Sequence, residues 1–219
     1  MKISEINTIN NLPFFTTEFI RATFPNEKKI GIWMQLSRLE KKGKIKRMKR
    51  GLYITEKSYE INKSSEEYKR AIGCQMKNPS YVTAETILSD FDILSEGTYV
   101  YTYVTLKAGA LISNIFGQYS YKRIQRPLFI GYKIKQYLGM EYYEATKAKA
   151  LFDFLYLRSR IIPSNIKNIN LVEELRLKME TFNEQDWEEL FLYAKIDGGK
   201  KMTEIISNIY KNASNNSKT

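Results

Sequence analysis

The stretch from Lys28 to Tyr53, KKIGIWMQLSRLEKKGKIKRMKRGLY, leaves few folds open to the chain that carries it. Ile32, Leu36 and Leu39 fall at i, i+4 and i+7, so they share one helical face. Gly43 follows a lysine-rich last turn and predicts the end of a helix running from Lys28 to Lys42. Lys44-Ile45-Lys46-Arg47-Met48 then alternates charged and apolar residues, and Gly51-Leu52-Tyr53-Ile54 returns as a second strand. Helix, short strand, basic turn and strand is the plan of a winged helix-turn-helix, a module that docks on DNA.

The charge distribution agrees with that plan. The net charge of the whole chain is +11. Residues 1 to 57 hold 13 Lys/Arg against 5 Asp/Glu, a net +8, and seven of the ten residues from Lys41 to Arg50 are basic. A basic solvated surface is the plain alternative. On a recognition helix and a wing, such charge suits a phosphate backbone, where counterion release rewards it. Outward positions on the helix are Lys28, Lys29, Gln35, Arg38, Lys41 and Lys42. Gln35 and Arg38 suit base edges and the lysines suit phosphates. Lys44, Lys46, Arg47, Lys49 and Arg50 give the wing its charge. Trp33 and Met34 could pack against the wing or face the groove, with packing the expectation.

Upstream, Ile3, Ile6 and Ile9 predict a short first helix. Thr16 or Thr17 can cap a second from Glu18 to Phe24, which Pro25 stops. Residues 1–57 thus form one small unit. The polar stretch 58–77 reads as a linker turning helical from Glu66 to Met76, with a hinge at Ser64-Ser65. A second unit, 78–211, carries a short helix from Thr83 to Leu88. Strand-like runs follow at Thr98–Leu106, Tyr119–Ile124 and Leu128–Ile134, separated by Gly109, Gly117 and Pro127. Tyr99, Tyr101 and Tyr103 alternate. Such a stripe could stack on bases, but core and cross-strand packing is the expectation.

Glu144 to Arg158 is apolar nearly all round and predicts a buried helix. Asp153 follows Lys149 by one turn, which suggests an i, i+4 pair or a contact to the sheet. From Ile166 the chain reads as helical, with a cap at Asn183 and a break at Gly198-Gly199. Residues 212–219 read as a frayed tail. The expected fold class is therefore α+β: a winged helix-turn-helix, then an α+β unit with a small, mainly antiparallel sheet and flanking helices.

Read together, these pieces resemble the AbiEi family, antitoxins and transcriptional regulators of bacterial type IV toxin–antitoxin pairs. The likeness runs from about Phe15 to Leu175. It rests on Phe15-Thr16-Thr17, Leu36-x-Arg38-Leu39, Lys42-Gly43 and Arg50-Gly51-Leu52-Tyr53. Further along, it rests on Pro79 to Thr83, Phe129-x-Gly131 and the block Ala145 to Asp153. In that block Lys147 stands where the family usually has Pro, and Ala148 where it has Glu; Lys149, Ala150, Leu151 and Asp153 fit. The resemblance implies a repressor of its own operon that binds inverted repeats in promoter DNA. It also implies an antitoxin countering a nucleotidyltransferase-type toxin without a stable toxin complex.

Several other classes find little support. The chain has no histidine, which removes histidine-based acid–base and triad chemistry. One cysteine, Cys74, allows neither an internal disulfide nor a structural zinc site, and reads as a small buried hydrophobe. Asp90-Phe91-Asp92 is the sharpest enzymatic candidate, because a D-x-D pair can hold Mg²⁺. It lacks an upstream Gly-Ser loop and falls at the end of a short helix. No catalytic role, metal or cofactor is expected. The opening MKISEINTINN has no apolar core of a signal peptide, and no eighteen apolar residues run together, so a cytoplasmic protein without a membrane span is expected. Two rivals stay open: a stand-alone regulator whose C-terminal unit senses a ligand or protein, and a nucleic-acid enzyme using Asp90 and Asp92.

Overall fold

A computed structural model of the chain describes residues 9–95 and 99–216. The expected first helix lies outside the described residues except for its last apolar position, Ile9, which is buried. Strand β1 (Phe15–Thr16) leads directly into α1 (Thr17–Thr23), and the Thr16 hydroxyl caps that helix by accepting from the Phe19 N–H at 3.1 Å. After Pro25 comes α2 (Lys29–Lys41). Its buried residues are Ile32, Leu36 and Leu39, the three that the spacing selects. They pack with Ile9, Phe15, Ile20 and Ile45 in a small core. Gly43, in the left-handed region at φ +69°, closes α2 and lets the Lys44 N–H reach the Leu39 carbonyl at 2.9 Å.

The basic hairpin forms as β2 (Ile45–Lys49) and β3 (Leu52–Thr55), with a bulge between Arg47 and Lys49. With β1 it makes an antiparallel sheet of order β1-β3-β2. This sheet is apolar on both faces. Ile45 and Tyr53 turn to the small core, with Tyr53 stacked on Phe15 at 5.7 Å, while Met48, Leu52 and Ile54 belong to a second, larger core.

The stretch expected as a linker is part of that larger core. Helices α3 (Glu56–Asn62) and α4 (Glu66–Met76) meet at Ser64-Ser65, and the Ser65 hydroxyl caps α4 by accepting from the Tyr68 N–H at 3.1 Å. Helix α4 buries Tyr68, Ala71, Ile72, Gly73, Cys74 and Met76, so the serine pair is a tight corner and not a hinge. Of the charged residues that suggested a linker, Glu66 and Glu67 are exposed, while Lys69 and Arg70 are largely buried in ion pairs, with Glu66 and with Asp90 and Glu144. The helix itself falls where the sequence predicted it, from Glu66 to Met76; what the charge density concealed is that its inner face is core.

Behind α4 runs a six-stranded sheet. Its strands are β4 (Ser80–Val82), β5 (Val100–Thr105), β6 (Ala110–Asn114), β7 (Gly117–Arg123), β8 (Tyr132–Tyr137) and β9 (Met140–Ala145). Their order is β6-β7-β5-β4-β9-β8, with β5/β7 and β4/β9 parallel and the other pairs antiparallel. The sheet is thus mixed and larger than the small antiparallel one expected. The run from Leu128 divides into a 3₁₀ turn (Arg126–Leu128) and β8.

Helix α4 covers one face of this sheet. The Tyr103 and Tyr121 hydroxyls donate to its Arg70 and Gly73 carbonyls at 3.0 and 2.7 Å. A Cβ on Gly73 would lie 2.0 Å from the Tyr103 hydroxyl oxygen, so only glycine admits so close an approach. The tyrosine stripe therefore packs in the core from Tyr103 inward; Tyr99, at its outer end, is 96% exposed.

The other face carries α5 (Glu85–Asp90) and α6 (Lys147–Arg158). Helix α6 begins after the expected Glu144, because Glu144 and Ala145 pair in β9 and Thr146 is the cap, accepting from the Lys149 N–H at 3.1 Å. Beyond α6 the chain is not continuously helical: α7 (Leu171–Glu174), α8 (Glu184–Asp197) and α9 (Lys200–Asn216) are separated by irregular segments. Asn183 caps α8 reciprocally with Asp186, and Gly198 closes it at φ +68°. Helix α9 continues through Asn216 with Ala213 buried, where a frayed tail from Asn212 was expected. Among the described residues, no helix is long and apolar enough to cross a membrane.

Candidate nucleic-acid interface

Burying Ile32, Leu36 and Leu39 fixes which side chains α2 presents outward. Lys28, Lys29, Arg38, Lys41 and Lys42 are exposed and Gln35 is half-buried. Between α1, α2 and the hairpin lies a groove of about 610 Å³. Its walls include Arg21 and Thr17 from the α1 side, Ser37 from α2, and Arg47 and Arg50 from the hairpin. Trp33 sits between two cations, with the Lys29 ammonium 5.8 Å and the Arg50 guanidinium 5.7 Å from its ring. About half exposed, it contacts the hairpin tip and borders the groove at once.

The hairpin cations are less free than the alternation suggested. Lys46 pairs with Glu56 at 2.7 Å and lies over the Tyr59 ring at 4.7 Å. Arg47 pairs with Glu40 at 3.3 Å. The Lys49 ammonium donates to the Met76 carbonyl at the end of α4. Burial pushes the Lys49 ammonium below its ordinary pKa, and repulsion by Lys107 and Lys77 adds to this. Lys49 is therefore a tie between the hairpin and α4. Lys44 and Arg50 are exposed. Sequence reasoning missed Arg21, Thr17 and Ser37; only the exposed side of α1, carrying Arg21 opposite the buried Ile20, could have signalled the first.

Lys149 and Asp153, the pair singled out in the C-terminal unit, are completely buried and bonded to each other at 2.6 Å. The other Asp153 oxygen accepts from the Tyr81 hydroxyl at 2.9 Å and the Thr83 hydroxyl at 2.7 Å. Both expected contacts are present together: an i, i+4 pair and a bridge from α6 to β4. Burial pushes the Asp153 carboxyl upward against the pull of Lys149 and the two hydroxyl donors. The Lys149 ammonium also lies 4.7 Å from the Phe152 ring and 5.1 Å from the Tyr193 ring. With no exposed atom, this network anchors structure.

Asp90 accepts both Arg70 terminal nitrogens, at 2.7 and 2.8 Å, and Asp92 sits in a left-handed turn at φ +55°. Arg70 also binds Glu144 at 3.1 Å. No cluster of three or more His, Cys, Asp or Glu side chains fit to hold a metal occurs among the described residues. Cys74 is buried, and burial pushes its thiol up to about 12. No protein-family model matches the chain, and a search of curated proteins finds no match either.

Proposed function

We propose that the N-terminal unit is a winged helix-turn-helix and that the chain is a DNA-binding autoregulator. The observation that carries this reading is the outer face of α2. It presents five exposed cations beside a basic hairpin whose tip residue, Arg50, lies across the groove on Trp33. Helix α2 enters the major groove, Arg38 and Gln35 read base edges, and Lys28, Lys29, Lys41, Lys42, Lys44 and Arg50 contact phosphates. Inverted repeats require two copies of the unit, one per half-site. The antitoxin role, countering a nucleotidyltransferase-type toxin, rests on the AbiEi resemblance alone.

The test is a titration against a labelled duplex from upstream of the chain's own gene, beside a scrambled duplex, across a salt series. Contacts to roughly six to ten phosphates weaken binding about 10³- to 10⁵-fold between 50 and 200 mM salt. Binding equal for both duplexes would refute sequence reading. Rescue of growth when the chain is co-expressed with a neighbouring nucleotidyltransferase gene tests the antitoxin role.

A second reading, a stand-alone regulator that senses a ligand, draws on a cavity of about 610 Å³ lined by Lys133, Lys147, Thr146, Glu144 and Glu189. Operator binding that shifts with an added metabolite, in a strain with no such toxin gene, would favour it.

A further inference from the structure

We infer that the C-terminal unit holds a phosphate-binding site in which Arg123, Arg126 and Arg160 are the ligands, distinct from the α2 surface. Three segments meet there. Arg123 ends β7, Arg126 begins the 3₁₀ turn, and Arg160 follows α6 by two residues. They line one cavity of about 500 Å³ together with Gln125 and Tyr156. Ile124 and Leu128, both buried, anchor the loop that carries Gln125 and Arg126, and the Ile124 N–H donates to the Thr105 carbonyl at 3.0 Å.

No carboxylate lines this cavity, and among the described residues none of the three guanidiniums forms an ion pair. Three other arginines are paired, Arg47 with Glu40, Arg70 with Asp90 and Glu144, and Arg158 with Glu85, whereas Arg38 and Arg50 of the α2 surface are exposed. Three guanidiniums around one concavity repel one another until an anion lies between them. Their planar forks match phosphate oxygens in pairs, which lysines do not. Tyr156, whose ring stacks on Phe152 at 5.8 Å, forms one wall of the cavity. Phosphate chemistry alone does not say whether the group belongs to a free nucleotide or to a nucleic-acid backbone.

The experiment is calorimetric titration of the full chain with inorganic pyrophosphate, ATP and a short single-stranded oligonucleotide at one ionic strength. It is run on wild type, on the triple variant Arg123→Gln/Arg126→Gln/Arg160→Gln, and on Arg160→Gln alone should the triple variant melt early. Loss of the guanidinium contacts should weaken binding at least about tenfold, with the melting temperature unchanged. The corresponding triple Arg→Lys variant should also bind more weakly, because the charge remains and the fork is lost. Binding of pyrophosphate and ATP assigns a free ligand; binding of the oligonucleotide only, lost in the variants, assigns a backbone phosphate. Wild-type binding to none of the three probes, or equal binding by the Gln or Lys variants, overturns the site. Arg38→Ala should leave the pyrophosphate and ATP titrations untouched, and the Gln variants should keep the preference for the native duplex, so failure of the α2 reading and failure of this one are separable.

Discussion

Gly73 shows how one missing methyl group sets the distance between a helix and a sheet. Gly73→Ala must displace the Tyr103 hydroxyl, which donates to the Arg70 carbonyl, and overpacking of this kind destabilises by roughly 1–3 kcal/mol. Urea unfolding measures it; a variant as stable as the parent would show that α4 has room to move. At Lys149 and Asp153 a double-mutant cycle is the informative experiment. Lys149→Met alone leaves a buried carboxylate without its cation and should destabilise by about 3–5 kcal/mol, whereas adding Asp153→Leu should restore much of that loss. Strict additivity would mean the two residues are not coupled. The Cys74 thiol, buried and pushed up to about 12, should resist alkylation at neutral pH until the chain unfolds. At this scale the sequence was informative about Cys74 and about the Lys149–Asp153 spacing. It marked Tyr81 and Thr83 only as part of a family motif and not as partners of Asp153, because they reach it from about seventy residues away.

Among the elements, α2 was legible because its apolar period, its lysine-rich end and its glycine all mark the same helix. The hairpin was legible for the same kind of reason, its alternation being bounded by Arg50-Gly51. Strands β4, β6 and β9 were not. The first is three residues long and buried throughout, β6 was masked by its flanking glycines, and β9 runs straight into the cap of α6, so that Glu144 and Ala145 looked helical. The candidate site was half legible for a related reason. Composition counts Lys46, Arg47 and Lys49 as wing charges, but their partners lie in α3, α2 and α4. On the proposed reading, Arg38→Ala lowers affinity for the native duplex by about 1–3 kcal/mol more than for a scrambled one. Lys44→Ala weakens both alike and reduces the salt slope by about one. The same drop on both duplexes for Arg38→Ala would remove it as a base reader.

For the molecule as a whole, the tyrosines couple stability to alkaline pH. Burial pushes the Tyr68 and Tyr142 phenols up to about 12 from 10.0, and it raises Tyr103, Tyr119 and Tyr121 as well. The folded chain therefore favours the neutral phenols. Their contribution is complete below pH 10, where the unfolded tyrosines also keep their protons, and is lost as pH rises from 10 towards 12. Urea midpoints should fall steeply across that interval, and a flat profile would contradict the burial of these rings.

The hairpin belongs to both cores, and this bears on modularity. A fragment cut after Lys57 would carry the whole α2 surface yet leave Met48, Leu52 and Ile54 facing water, three side chains each worth about 1.5–3 kcal/mol when buried. Such a fragment should precipitate or dimerise through that face, so the N-terminal unit of this chain cannot be transplanted as a cassette.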